Sequence, residues 1–227
     1  MHIHDEEQYR DSIACALLRG YGAPSSREEA AHDELIQLRR LRALQNLQLC
    51  RDDDFPGRVD TDLTAYYKEL LTAAELCLAG TGCRVQCVSS ALSSGISRIN
   101  RRAVAGAAMN LLSNGLIYSI DKTARVSWST VGGNMLLRID NNGAFDWGAV
   151  DVNRKENGRG LRAVQCVAQA HGGRLWLIER RGVCGAALIL PIGCADAASG
   201  QKPHPSVEDL LFDRVSPVHV GLSMPDG

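Results

Sequence analysis

The sequence has no long apolar run and no start that resembles a leader. None of its apolar stretches approaches the roughly 20 residues that a membrane-spanning helix needs. The opening MHIHDEEQYR is polar, whereas a secretory signal peptide continues from basic residues into an apolar core. We therefore expect a soluble, cytoplasmic protein that has no membrane partner.

The sequence also lacks an excess of charge of either sign. Its 25 Lys and Arg residues are balanced by 26 Asp and Glu residues, which leaves a net charge of −1. A general electrostatic attraction to nucleic acid or to anionic lipid requires a clear excess of basic residues. We therefore expect no nucleic-acid partner. The 227 residues, 45% of them hydrophobic, suffice for one medium-sized α/β domain and a smaller helical segment.

Patterns typical of zinc sites and disulfide frameworks are missing, although the chain has eight cysteines. Cys83 and Cys87 lie on one predicted strand and lack the paired C-x-x-C spacing of a zinc site. Five other cysteines lie inside apolar patterns, where a free thiol behaves as a small buried hydrophobic group. They are Cys15, Cys50, Cys77, Cys166 and Cys184. This distribution indicates a reduced protein.

The first quarter of the chain predicts two helices. Residues 5–20 carry acidic residues in their first turn, and the breaker-rich GYGAPSS separates them from a second helix over residues 27–51. Leucines spread over most of the circumference of the second helix. This pattern is expected when a hairpin partner covers one side and another subunit covers the other. We predict that residues 1–56 form a helical hairpin, which dimerises into a four-helix bundle.

Helix and strand patterns alternate after the breaker segment RDDDFPGR. Their order predicts a mixed sheet with helices on one face, and thus an α+β protein in which an α/β sandwich follows the hairpin. We assign residues 57–193 to this domain and residues 194–227 to a C-terminal tail. The predicted elements are a helix over 60–80 with Asp60 or Thr61 as its cap, a strand over 83–88, a long helix over 97–120, a hairpin over 124–140, a helix over about 160–171 and a last hairpin over 174–192.

Two clusters of asparagines lie at the ends of predicted elements. Asn110 and Asn114 are four residues apart on an otherwise apolar helix, so both amides lie on one face and could coordinate Mg²⁺ through oxygen. Asn141 ends a strand on its core-facing side, where its carbonyl oxygen could accept a hydrogen bond from an adenine amino group. The alternatives are two exposed asparagines on a surface helix and an ordinary Asn-Gly hairpin turn.

A third cluster, Gly158-Arg159-Gly160, immediately precedes a predicted helix. Its backbone amides and the helix N-terminus could together bind a phosphate group. The alternative is a flexible turn in which the glycines adopt positive φ angles. Each cluster alone is weak evidence, but their order and separation along the chain make a nucleotide site the better interpretation.

These motifs carry a resemblance to a known family. Residues 60–192 resemble the ATP-binding domain of bacterial histidine kinases, which has the Bergerat-type fold. MNLLSNGLIYS resembles the N-box of that family, LRIDNNGAF its first glycine box and NGRGLRAVQCVAQAHGG its second. The resemblance implies a cytoplasmic histidine kinase core of a two-component system. Such an enzyme phosphorylates its own histidine with ATP and passes the phosphoryl group to an aspartate in the receiver domain of a response regulator.

The resemblance also implies ligands and roles for individual residues. ATP and Mg²⁺ are the implied cofactors, and Asn114, together with Asn110, is the implied Mg²⁺ ligand. The residues implied to bind the nucleotide are Asn110, Asn114, Tyr118, Asn141, Gly143, Gly158, Gly160 and Leu161. Asn141 stands where the family usually has Asp, and Ala144-Phe145 stands where it has a second glycine. These departures leave an alternative function, a histidine phosphotransfer or docking protein with a kinase-like fold that no longer binds ATP.

A kinase of this type needs a phosphoacceptor histidine on the dimeric hairpin. His4-Asp5 and His32-Asp33 each pair a histidine with an acidic neighbour that could act as general base. HDELIQ, which begins at His32, resembles the acceptor motif of one kinase subgroup. The length of the hairpin favours His4, because too few residues follow His32 to complete two long helices. Both histidines stay candidates.

Overall fold

The computed structural model describes residues 57–88, 95–143, 159–180, 183–193, 206–212 and 216–222. The predicted hairpin of residues 1–56 lies outside these residues, and so do His4, His32 and Gly158. The four-helix bundle and the phosphoacceptor therefore stay predictions.

The described residues form seven strands and five helices. In chain order these are β1 (Val59–Asp62), α1 (Leu63–Cys77), β2 (Arg84–Cys87), β3 (Ile96–Ile99), α2 (Arg101–Ile117), β4 (Thr123–Val131), β5 (Asn134–Asn141), α3 (Arg159–Ala170), β6 (Arg174–Arg180), β7 (Val183–Pro191), α4 (Val207–Phe212) and α5 (Pro217–Leu222).

Five of the strands form one mixed sheet, in the order β2-β4-β5-β7-β6. The hairpins β4–β5 and β6–β7, which alternating apolar residues predict, are both present and antiparallel. The antiparallel pairing of β5 with β7 joins the two hairpins, and β2 adds a parallel strand beside β4. This arrangement places β5 in the centre of the sheet.

Helices cover one face of this sheet. Every second residue of β4 and β5 is buried, and these residues share one core with apolar residues of α1, α2 and α3. Gly115 allows α2 to approach the sheet closely, since a Cβ atom there would lie 3.0 Å from Ile139 Cγ2. The α/β sandwich predicted from the sequence is confirmed for these residues.

The N-terminal limits predicted for two helices are wrong. Val59–Asp62 and Ile96–Ile99 are not helical but form a separate two-stranded antiparallel sheet, β1–β3. The cap of α1 is Asp62, not Asp60 or Thr61, because its Oδ1 accepts hydrogen bonds from the amides of Thr64 and Ala65. Asn100 caps α2 in the same way, since its Oδ1 accepts from the amide of Ala103. In both cases long-range strand pairing overrides the local helix preference.

His171-Gly172-Gly173 ends α3 in a tight turn. Gly172 has a φ of +73°, which favours glycine, and a Cβ atom on Gly173 would collide with the backbone of Ile189 on β7. His171 is buried. Its Nδ1 lies 2.7 Å from the Val167 carbonyl oxygen, and its Nε2 accepts a hydrogen bond from the Asn100 amide. The turn therefore connects the end of α3 to the start of α2.

Two short helices in the predicted tail pack against the domain. Helix α4 contacts α1, and α5 contacts both α1 and α2. Leu210, Val218 and Leu222 are buried in the same core as the sheet. Gly221 packs on the Met109 side chain so closely that it has no room for a Cβ atom. Part of the segment assigned to a tail is thus an integral layer of the domain.

Candidate functional site

A cleft opens between the helical layer and the sheet. It lies where α2 ends, where β5 ends, where α3 begins and beside β7. Nine residues line it, and most are apolar or small: Leu111, Asn114, Gly115, Tyr118, Ile139, Asn141, Leu161, Gly185 and Ala186. Four of the predicted site residues, Asn114, Tyr118, Asn141 and Leu161, come together here from three separate elements.

Helix α2 supplies one wall of the cleft. Asn114 and Tyr118 are one turn apart and both line the cleft, and Tyr118 is 44% exposed. The backbone amide of Tyr118, the C-cap residue of α2, donates to the Asn114 carbonyl oxygen. Asn110 is half-buried one turn before Asn114 but is not among the residues that line the cleft. Of the two amides, only Asn114 lines the cleft, and Asn110 lies one helical turn before it.

Asn141 lies at the end of the central strand and is only 4% exposed. Its Oδ1 accepts a hydrogen bond of 2.8 Å from the backbone amide of Gly143. The oxygen that the sequence predicts as an acceptor for adenine therefore already has a partner in its own turn. This turn does not close an Asn-Gly hairpin, because the sheet neighbours of β5 are β4 and β7, neither of which follows it directly.

The turn after β5 is fixed against the C-terminal end of α2. A Cβ atom on Gly143 would collide with the Tyr118 carbonyl oxygen, so only glycine fits there. Asn142 Oδ1 accepts a hydrogen bond of 3.1 Å from the Ile120 amide and lies 3.0 Å from the Ser119 hydroxyl oxygen. Three consecutive residues of the turn thus hold the strand end and the helix end together at the cleft.

Helix α3 begins at the cleft. Gly160 is its second residue, and Leu161 is buried and lines the cleft. Gly160 does not have a positive φ, and a Cβ atom there would meet no described atom within 4 Å. Neither backbone conformation nor packing against the described residues therefore requires glycine at this position.

Strand β7 contributes two residues to the cleft that the sequence analysis does not identify, Gly185 and Ala186. A Cβ atom on Gly185 would lie 2.6 Å from the Ile139 carbonyl oxygen and would also collide with the Asp140 carboxylate. The close approach of β5 therefore requires glycine at position 185, while Ala186 offers only a small side chain to the cleft. The run GAA is the only local signal of this in the sequence. The sequence alone does not show that strand pairing places Ala186 opposite Ile139 and hence beside the cleft.

Charged side chains are absent from the nine residues that line the cleft. Within the part of the chain that the structure describes, no group of three or more His, Cys, Asp and Glu residues is placed to hold a metal ion. Asp121 is a nearby carboxylate but is fully exposed. Hydrogen bonds, first from the Ser119 hydroxyl and then from Thr123, hold its pKa below its ordinary value. A divalent cation in this cleft would need oxygen ligands from a bound phosphate as well as from amides.

Two further observations concern the described residues as a set. The five described cysteines, Cys77, Cys83, Cys87, Cys166 and Cys184, are free thiols. None of the described helices is long and apolar enough to cross a membrane.

Comparisons with known proteins identify the fold. No family model and no curated protein matches the chain. Among solved structures, the Acinetobacter baumannii histidine kinase AdeS superposes with a TM-score of 0.61 at 18% identity, covering 81% of this chain and 93% of AdeS. The nucleotide-free catalytic domain of histidine kinase ThkA has a TM-score of 0.52 at 12% identity, covering 60% of this chain and 97% of that domain.

A third structure is full-length ShkA in complex with AMPPNP, which has a TM-score of 0.56 at 11% identity and covers 83% of this chain and 45% of ShkA. Identities this low establish a shared fold and no more. The described domain of this chain has the fold of histidine kinase catalytic domains.

Proposed function

We propose that the chain is a cytoplasmic histidine kinase core that binds ATP and Mg²⁺. In this proposal it phosphorylates one of its own histidines and transfers the phosphoryl group to an aspartate in the receiver domain of a response regulator. The observation that carries the proposal is the cleft, in which Asn114, Tyr118, Asn141 and Leu161 meet. The chemistry of their amides points to Asn114 and Asn141, the resemblance to a kinase family points to Tyr118 and Leu161, and the four residues come from three separate elements.

The lining of the cleft suits a purine nucleotide. Leu111, Ile139 and Ala186 offer an apolar surface to a flat base, and Asn141 offers amide hydrogen bonds at its edge. The N-terminal turn of α3 adjoins the same space, and a helix N-terminus favours phosphate groups. Among the described residues no atom comes within 4 Å of a Cβ atom placed on Gly160, so these residues leave the backbone of that turn accessible to a bound group.

Mg²⁺ would be held by the side-chain oxygens of Asn110 and Asn114 together with the phosphates of the nucleotide. Mg²⁺ in phosphoryl-transfer sites commonly takes only one or two protein ligands, with phosphate and water oxygens completing its coordination. Two neutral amides are therefore a sufficient protein contribution. The ion, when bound, would neutralise charge on the phosphates.

The remaining parts of the proposal depend on residues outside the described ones. His4 and His32 are the candidate phosphoacceptors, and the hairpin of residues 1–56 would pair with a second copy to form a homodimer. The receiver domain is the proposed partner protein. The fold supports phosphoryl transfer itself, because positioning and charge neutralisation, which a nucleotide-binding domain supplies, account for most of the catalysis.

Titration of the full chain with ATP and Mg²⁺ in a calorimeter tests the nucleotide site. We expect micromolar binding, and we expect Asn114→Ala to weaken it at least about tenfold, because the amide group is lost from the cleft. Arg102→Ala is the matched control, since Arg102 is exposed at the opposite end of the same helix and should leave the affinity unchanged.

Labelled ATP then tests the chemistry. The wild-type chain should acquire an acid-labile phosphoryl group. Asn114→Ala should reduce the amount of label, and one of the two variants His4→Gln and His32→Gln should abolish it. The absence of label on the wild type, with or without a receiver domain, would contradict the proposed kinase activity. No heat from ATP and Mg²⁺, combined with tight binding of a receiver domain, would favour the alternative phosphotransfer or docking function.

A further inference from the structure

The orientation of the Asn141 amide is fixed by its surroundings. Its Oδ1 accepts from the Gly143 amide at 2.8 Å, and an amide nitrogen could not take that place because it has no acceptor lone pair. Gly143 cannot move away readily, because it packs against the Tyr118 carbonyl oxygen at the end of α2. The adjacent Asn142 is held by the Ile120 amide. The whole turn thus maintains one orientation of the Asn141 side chain.

This orientation determines which groups remain for a bound molecule. The bond to Gly143 is the only hydrogen bond that the Asn141 side chain makes with the described residues. Asn141 lines the cleft, so its Nδ2 group, with two donors, is available there, while Oδ1 keeps one lone pair. At its sheet-side edge the cleft therefore offers both a donor and an acceptor, with no charge.

We infer that the cleft accepts 6-oxopurine nucleotides about as well as 6-aminopurine nucleotides. This inference rests on the proposed function, because it concerns the base that the nucleotide site recognises. A 6-amino group can donate to the remaining lone pair of Oδ1, and a 6-oxo group can accept from Nδ2. A carboxylate at this position would have only acceptors, which would favour the amino group and repel the oxo group.

The other described residues of the cleft do not restore a preference between the two bases. Leu111, Ile139, Leu161 and Ala186 are apolar and would contact a purine through its faces or its unsubstituted edges. Asn114 is also an amide and carries donors and acceptors alike. Tyr118 also lines the cleft, and its hydroxyl group can likewise both donate and accept. Since no charged side chain is among the described residues that line the cleft, discrimination at position 6 by these residues depends on Asn141.

Calorimetric titration of the full chain with ADP and with IDP, each with Mg²⁺, tests this inference. The two nucleotides differ only in the groups at positions 6 and 1 of the base, and neither carries a phosphoryl group for transfer to histidine. We expect their Kd values in the wild type to agree within about threefold. In Asn141→Asp, the ratio of the IDP Kd to the ADP Kd should increase at least about tenfold, since a charged acceptor facing position 6 attracts the amino group of ADP and repels the oxo group of IDP.

The remaining outcomes are distinguishable. ADP binding that is more than about thirtyfold tighter than IDP binding in the wild type would overturn this inference and leave the proposed function in place. Binding of neither nucleotide would overturn both. Thermal melting of Asn141→Asp shows whether the variant is folded. If it is not, Asn141→Ser replaces it and should weaken ADP and IDP equally, and unequal weakening would count against the inference.

Discussion

His171 lies at the end of α3 and contacts the start of α2. Its imidazole accepts from the Asn100 amide at the start of α2 and lies against the Val167 carbonyl oxygen near the end of α3. Both contacts are satisfied by a neutral ring that carries its proton on Nδ1. Burial lowers the pKa of His171 below its ordinary value, and the nearby Arg58 lowers it further, while the hydrogen bond to Val167 acts in the opposite direction.

The lowered pKa predicts how stability depends on pH. Above pH 6.5, the ordinary pKa of histidine, the ring is neutral in both the folded and the unfolded chain and its stabilising effect is fully present. As the pH decreases below that value the unfolded chain binds a proton first, so the free energy of unfolding should decrease until the folded pKa is passed.

Chemical denaturation between pH 7.5 and 5 measures this effect. His171→Leu should lower the free energy of unfolding by about 1–3 kcal/mol at pH 7.5, because the Asn100 amide loses its acceptor and the Val167 carbonyl oxygen loses one of its two donors. Its pH slope over the same range should be shallower than that of the wild type. Equal slopes would show that other groups, not His171, produce the dependence.

The sequence predicts residue positions better than residue orientations. Alternating burial along β5 places Asn141 on the core-facing side, as expected from the sequence. The sequence does not predict that its carbonyl oxygen is taken by Gly143, because that bond depends on how the turn packs against the end of α2. Gly185 and Ala186 escaped prediction for a similar reason, since the pairing of β5 with β7 gives them their role.

Among the elements, those with strong internal periodicity were predictable and those that depend on distant partners were not. Helices α1, α2 and α3 and the two hairpins carry their own apolar patterns. The strands β1 and β3 are four residues each and exist because they pair with one another across the whole of α1. Helices α4 and α5 are six residues each, too short to be stable alone, and packing against α1 and α2 stabilises them.

A single substitution tests the contact between α5 and α2. Gly221→Ala places a methyl group against the Met109 side chain, and we expect it to lower the free energy of unfolding by about 1–3 kcal/mol. This cost should exceed the gain of up to about 1 kcal/mol that alanine offers in a helix.

Gly193→Ala is the control for that substitution, because a Cβ atom there would meet no described atom within 4 Å and the φ angle is not positive. It should change the free energy of unfolding by less than about 0.5 kcal/mol. If Gly221→Ala leaves the free energy of unfolding unchanged or raises it, α5 does not pack this closely on α2 in solution.

At the scale of the whole molecule, the assembly is still a prediction from sequence. The helix predicted over residues 27–51 has apolar residues around most of its circumference, more than one antiparallel partner can cover. Pairing of two hairpins in a closed four-helix bundle would bury that surface. Such a dimer would also bring a phosphoacceptor of one subunit within reach of a nucleotide domain.

We therefore expect the full chain to be a homodimer and the protein that lacks residues 1–56 to be a monomer. Light scattering with size-exclusion chromatography measures both masses. The truncated protein should keep its nucleotide affinity, since the cleft is built from residues of the described domain. A monomeric full chain, or a dimer that persists after truncation, would contradict the predicted assembly.

The packing of α5 onto α1 and α2 also affects the order in which the protein matures during synthesis. Helices α1 and α2 leave the ribosome well before the residues that complete their shared core, among them Val218 and Leu222. Until then the apolar surface of α1 and α2 that these residues later cover stays open to chaperones and to other nascent chains. Assembly of the domain is thus coupled to the completion of residues 217–222, and a ribosome that stalls before them would release a chain with an unfinished core.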